Sequence, residues 1–133
     1  MLLSVDLTTP KPIYTQLYEQ LLNGIATGEL VSGEALPAIR QLAAELEINM
    51  HTANKAYAEL ESEGFVVSHK REGFVVNTRE AMKASSQHIE AIHERLRSVA
   101  SESACRGISE KDFIELCRKA YEGFKIGSRK NGN

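Results

Sequence analysis

Two apolar stripes at helical spacing, Ile39, Leu42, Ala43, Leu46 and then Ala53, Ala56, Tyr57, Leu60, are separated by no more than a tight turn. A helix with one apolar face must bury that face on another element. Two such helices joined by a turn of three or four residues form a helix-turn-helix. Asn49 stands where the second helix needs an N-cap, and Gly64 where it needs a stop. Gly33 and Pro37 bracket the connector ahead of the pair, whose first helix is expected to run about three turns. Upstream, Pro12 suits a first helical turn, Ile13, Leu17, Leu21 and Ile25 recur every four residues, and Gly28 is a natural end. Downstream, Phe65, Val66, Val67 and Phe74, Val75, Val76 flank Lys70, Arg71, Glu72 and Gly73, which reads as a hairpin. The expected fold is therefore mainly α with a small β wing: a winged helix-turn-helix followed by a two-helix C-terminal dimerisation region.

That C-terminal region has a different character. Residues 1 to 79 hold six basic and ten acidic side chains, net −4, together with all three prolines; residues 80 to 133 hold ten and eight, net +2. Met82, Ile89, Ile92, Leu96 and Val99 follow one another at spacings of seven, three, four and three, one seam of a coiled-coil or bundle helix. After a break at Gly107, Ser109 and Asp112 resemble a capping box, and Phe113, Ile114, Cys117, Ala120, Tyr121 and Phe124 supply a last amphipathic helix. Two helices of about 25 and 15 residues are too little for the layered core of a metabolite-sensing domain. The seam needs a partner, and a second copy across a two-fold axis is the simplest one, so a homodimer on a palindromic site is expected. Packing of the seam on Phe113, Tyr121 and Phe124 of the same chain is the alternative. The expected division is 1–78 for DNA binding, 79–127 for dimerisation and 128–133 as a frayed tail.

Composition narrows the class. The 133 residues carry a net charge of −2, so the chain is no basic coat for nucleic acid or lipid, and any anion binding must be local. Apolar runs stop at four or five residues, far short of the ~20 a spanning helix needs, which leads to an expectation of a cytoplasmic protein with no membrane partner. Cys105 and Cys117 lack metal-site spacing and fit reduced thiols, most simply packing residues. His88 and His93 are out of register as joint ligands. No metal or cofactor is expected. No phosphate-cradling glycine loop, His-Glu-x-x-His, Cys-x-x-Cys or nucleophile elbow is present, which argues against an enzyme.

The stretch from Pro12 to Val67 closely resembles the DNA-binding domain of GntR-family transcription regulators, and the short second half resembles their YtrA subfamily. The resemblance rests on Pro12, Ile13, Tyr14, Gln16 and Leu17; on Gly28, Leu30, Gly33, Leu36, Pro37, Arg40, Leu42 and Ala43; and on Asn49, Thr52, Ala56, Tyr57, Leu60 and Gly64. It departs from the family pattern at Ala38, where a serine is frequent, and in the wing, where Arg71 and Phe74 stand among residues that in relatives often read Gly-x-Gly-Thr. The resemblance implies a sequence-specific regulator with Arg40 as a DNA contact. It also makes a transporter-type operon the expected target, without a defined small-molecule site, while repression is expected because nothing in the sequence resembles a polymerase-contacting surface; whether an effector exists is left open.

The residues themselves support that reading. With Ala53, Ala56, Tyr57 and Leu60 inward, ~100° per residue turns His51, Lys55, Ala58 and Ser62 outward, with Thr52 and Asn54 on the flanks. Early turns of a recognition helix reach base edges, where Asn suits adenine and Lys suits guanine. The wing lines up His69, Lys70 and Arg71 toward its tip, suited to a narrow, electronegative minor groove. The plainer alternatives are a solvated polar face, an Arg40 paired with Glu45, and an idle polar turn. A winged helix docking protein or RNA instead of double-stranded DNA is the competing function.

Overall fold

The structure, a computed structural model, describes residues 1–124. The expected tail at 128–133, and the last residues assigned to the dimerisation region, lie outside that range. Two compact units are present, one spanning Met1–Met82 and the other Lys83–Gly123.

In the first unit, α1 (Ile13–Thr27), α2 (Ile39–Leu46) and α3 (Met50–Ser62) precede the antiparallel strands β1 (Val66–His69) and β2 (Gly73–Val76). Pro12 is the N-cap of α1, and Gly28 ends it at φ 87°, a left-handed conformation open to a residue without Cβ. Leu17, Leu21 and Ile25 of α1, Leu42 of α2, and Ala53, Ala56, Tyr57 and Leu60 of α3 form the core, closed over by Val66 and Val76 of the wing. The α3 face read from its spacing is the buried one. Helix α2 is shorter than expected, eight residues, because Glu47 turns the chain into left-handed space at φ 57°. Its N–H still closes on the Ala43 and Ala44 carbonyls, so the turn starts about one helical turn early.

The wing is bound in at both ends. Leu36 N donates to the Phe74 carbonyl at 2.8 Å and Val76 N to the Glu34 carbonyl at 2.9 Å, so the segment before α2 pairs with the free edge of β2. At its base, Asn77 N donates to the Phe65 carbonyl at 3.0 Å, and the Asn77 amide donates to the Gly64 carbonyl at 3.0 Å. Tyr57 joins these parts: its hydroxyl donates to the Pro37 carbonyl at 2.7 Å, and its ring meets Phe74 edge-on, with centroids 5.3 Å apart.

The first six residues run back along α1 and bury alternate side chains, Leu3 and Val5, on the core. Two glutamines hold them. The Gln20 amide donates to the Ser4 carbonyl (2.7 Å) and its oxygen accepts from Ser4 N (3.1 Å), while Gln16 does the same with Asp6 at 2.9 and 2.8 Å. Gln16 also donates to the Lys11 carbonyl at 3.0 Å and is almost fully buried.

Beyond the wing, a four-residue helix α4 (Arg79–Met82) ends the first unit, and Met82 packs on its core. This corrects the expectation that Met82 opens the seam. The helix does not continue from residue 82, because Ser85 caps a new one: its hydroxyl accepts from His88 N while His88 Nδ1 accepts from Ser85 N. The second unit is α5 (Ser86–Cys105) and α6 (Glu110–Tyr121). Between them Gly107 sits at φ 80°, and Ile108 N closes on the Ser103 carbonyl at 2.9 Å, a Schellman-type stop. Ser109 caps α6 by accepting from Asp112 N, as its spacing suggests. Phe124 falls beyond α6. Ile89, Ile92, Leu96 and Val99 of α5 remain 60%, 46%, 45% and 52% exposed, and Cys105 and Cys117 are exposed free thiols rather than packing residues.

Tyr57→Phe removes one hydrogen bond and keeps the ring, so thermal unfolding should show a loss of about 1 kcal/mol. Tyr57→Ala also empties the core beneath α3 and should cost about 3–5 kcal/mol.

Candidate nucleic-acid interface

The exposed side of α3 is set by its cap and its core face. Asn49, in extended conformation, accepts the His51 N–H on its side-chain oxygen at 2.7 Å, which fixes where the first turn starts. Burial of Ala53, Ala56, Tyr57 and Leu60 then leaves His51, Asn54, Lys55, Ala58 and Ser62 in solvent and Thr52 half-buried. The packing of α2 across α3 adds Arg40, one residue past the buried-side Ile39.

Ile39, Arg40, Asn49, Met50, His51 and Asn54 line one open cleft between the start of α2 and the start of α3. Three residues singled out in the sequence, Arg40, His51 and Asn54, thus converge, although 11 positions separate the first two. Arg40 has no carboxylate partner among the described residues: Glu45 instead accepts from the Gln41 amide at 3.2 Å. An unpaired guanidinium beside an amide and an imidazole is a donor-rich surface, suited to the acceptors of a phosphate backbone and a base edge.

Lys55 is placed differently. Its Nζ lies 3.8 Å from the centre of the Tyr14 ring, on the α1 side of α3, and it does not line the cleft. At the wing, Lys70 and Arg71 are exposed with no carboxylate partner among the described residues, whereas His69 lies 3.7 Å from the Glu72 carboxylate. Met50 and Tyr14 were not among the residues singled out for contact. Met50 is four residues before Asn54, one turn along the same flank, and that spacing could have found it. The Tyr14 contact is tertiary and has no local signal.

No metal-binding group of three or more His, Cys, Asp or Glu occurs among the described residues, and no helix there is long and apolar enough to cross a membrane.

Residues 13–76 match the family of bacterial regulatory proteins, gntR family. The chain is 32% identical over 105 residues to the HTH-type transcriptional regulator Rv1152 of Mycobacterium tuberculosis, covering 76% of this chain and 87% of that protein. It is 25% identical over 130 residues to the HTH-type transcriptional repressor YtrA of Bacillus subtilis, covering 98% and 99%. Among solved structures, YtrA from Sulfolobus acidocaldarius, a GntR-family transcription factor, superimposes with a TM-score of 0.56 at 38% identity, covering 71% of this chain and 95% of that one.

The α3 cap separates stability from charge. Asn49→Ala should lower the unfolding free energy by about 1 kcal/mol, and Asn49→Asp, which keeps the acceptor, should hold it near wild type in the same melts.

Proposed function

The chain belongs to the gntR family of bacterial regulatory proteins and is a YtrA-like, DNA-binding regulator of transcription, and from that premise we propose that it acts in the cytoplasm as a homodimeric repressor of a transporter-type operon, each protomer setting α3 into the major groove at one half of a palindromic operator. The observation that carries this reading is the cleft in which unpaired Arg40 faces His51 and Asn54 at the start of α3. The amide of Asn54 and the imidazole of His51 are the base-reading groups; Arg40 and the partly sheltered Thr52 hold the backbone. Ala58 keeps the approach open. Lys70 and Arg71, with His69 behind them, reach the neighbouring minor groove from the wing tip.

The division of labour is the first unit, Met1–Met82, for DNA and the second, Lys83–Gly123, for pairing. Ile89, Ile92, Leu96 and Val99 support it: four apolar side chains on one helix stay about half exposed or more within the chain, a state that a second copy relieves. Repression is supported by similarity to a relative named as a repressor.

Because the first 79 residues carry net −4, few phosphates are neutralised per protomer, and affinity depends on pairing. Footprinting on the promoter region of the protein's own operon should show a protected palindrome with half-sites about one helical turn apart. In band shifts on that site, Arg40→Ala should weaken every duplex by a similar factor. His51→Ala with Asn54→Ala should instead erase ~1–3 kcal/mol of discrimination per contacted base; unchanged selectivity in that double variant sinks the assignment. In sedimentation at micromolar concentration, Ile92→Glu with Leu96→Glu should convert a dimer to a folded monomer with greatly weakened operator binding.

A further inference from the structure

We propose that Tyr14 is a positioning residue that fixes the Lys55 ammonium as a contact to the DNA backbone, contributing affinity without sequence choice; this rests on α3 being the DNA-contacting helix.

The Lys55 Nζ stands 3.8 Å from the Tyr14 ring centre, well inside the range at which a ring face attracts a cation. Among the described residues Lys55 has no carboxylate partner, so its charge is not spent on an acid of the same chain. The ring neutralises nothing: it holds the ammonium in place and leaves its charge and outward N–H groups available. Tyr14 is itself half-buried against the core, the second residue of α1, so it is a fixed anchor and not a second mobile side chain.

The position on α3 decides what the held cation meets. At ~100° per residue, Lys55 projects near the middle of the exposed face and Asn54 on its α2-side flank. Asn54 leans toward α2 and lines the cleft with Arg40; Lys55 leans toward α1 and does not. A helix seated in a major groove carries base-facing side chains along its middle and backbone-facing ones at its edges. Held against Tyr14, the Lys55 ammonium is drawn from the middle of the face to its α1 edge, opposite Arg40 on the α2 edge, with His51 and Asn54 between the two charges. Reaching inward to a guanine would require Lys55 to leave the ring. A flexible lysine otherwise loses much rotamer freedom on docking, and the ring removes part of that loss beforehand.

The test is salt-dependent binding of the full chain to the footprinted operator and to unrelated duplex, for wild type, Lys55→Met, Tyr14→Phe, Tyr14→Leu and the Tyr14→Leu/Lys55→Met pair. Lys55→Met should weaken both duplexes by the same factor and lower the salt slope by about 0.9 per protomer. Tyr14→Leu should cost about two- to fivefold per protomer, Tyr14→Phe nothing, and the pair no more than Lys55→Met alone. In the free protein, the Lys55 ε-methylene protons should resonate upfield from the ring current in wild type and Tyr14→Phe, and return to ordinary values in Tyr14→Leu. A change in base preference with Lys55→Met, or losses that multiply in the pair, overturns the proposal. Lys55 is exposed, so its variant answers even where Tyr14→Leu lowers stability. A selective wild type whose slope ignores Lys55→Met defeats this inference alone; a wild type with no preference for the operator defeats the functional reading, and this inference with it.

Discussion

The first unit depends on how Tyr57 is placed. It lies on the buried side of α3, donates to the Pro37 carbonyl just before α2, and sets its ring edge-on to Phe74 in the wing. One side chain thus joins the helix that carries His51 and Asn54, the helix that carries Arg40, and the hairpin that carries Lys70 and Arg71. Burial pushes the phenol above its ordinary range, so it remains the neutral donor this arrangement requires. If the joint moved, Arg40 and Asn54 would lose their common cleft before either was altered.

A net-negative unit can still face a polyanion when the charge nearest the contact is cationic. Several carboxylates are engaged or lie late on α3: Glu34 accepts from Val31 N, Glu45 from Gln41, Glu61 from Ser68. Arg40, Lys70 and Arg71 stay clear of carboxylates among the described residues. What matters for approach to DNA is the local field on the docking side and not the sum over the unit.

What could be read from residue order was whatever depends on nearest turns. Asn49 as a cap, Pro12 at a start, Gly28 at a stop and the inward set Ala53, Ala56, Tyr57, Leu60 follow from periodicity and backbone permission, and the structure has them. Two misreadings have one cause. The apolar rhythm carries Met82 into the following helix because spacing alone cannot see that Ser85 and His88 cap each other and restart the chain there, while the wing unit supplies Met82 with a closer apolar surface. Likewise α2 was read too long because nothing local announces a glutamate in left-handed backbone at position 47. The cleft was legible in its members but not in its assembly: Arg40 meets His51 only through the crossing of two helices. The Lys55–Tyr14 contact is likewise absent from the residue order, because it joins α3 to α1.

The paired glutamine clasps on the leading segment carry a geometric consequence. Four residues along a helix rise ~6 Å, and two residues of extended chain advance ~6.6 Å, so Gln16 and Gln20 act as a two-tooth ratchet for positions 6 and 4. A slip by one residue would present Ser4 and Asp6 to the interior and eject Leu3 and Val5, so only even steps keep the oily side down. Extra residues between the last tooth and Pro12 would bulge outward without disturbing the mesh, whereas a single residue added between positions 4 and 6 would unseat it.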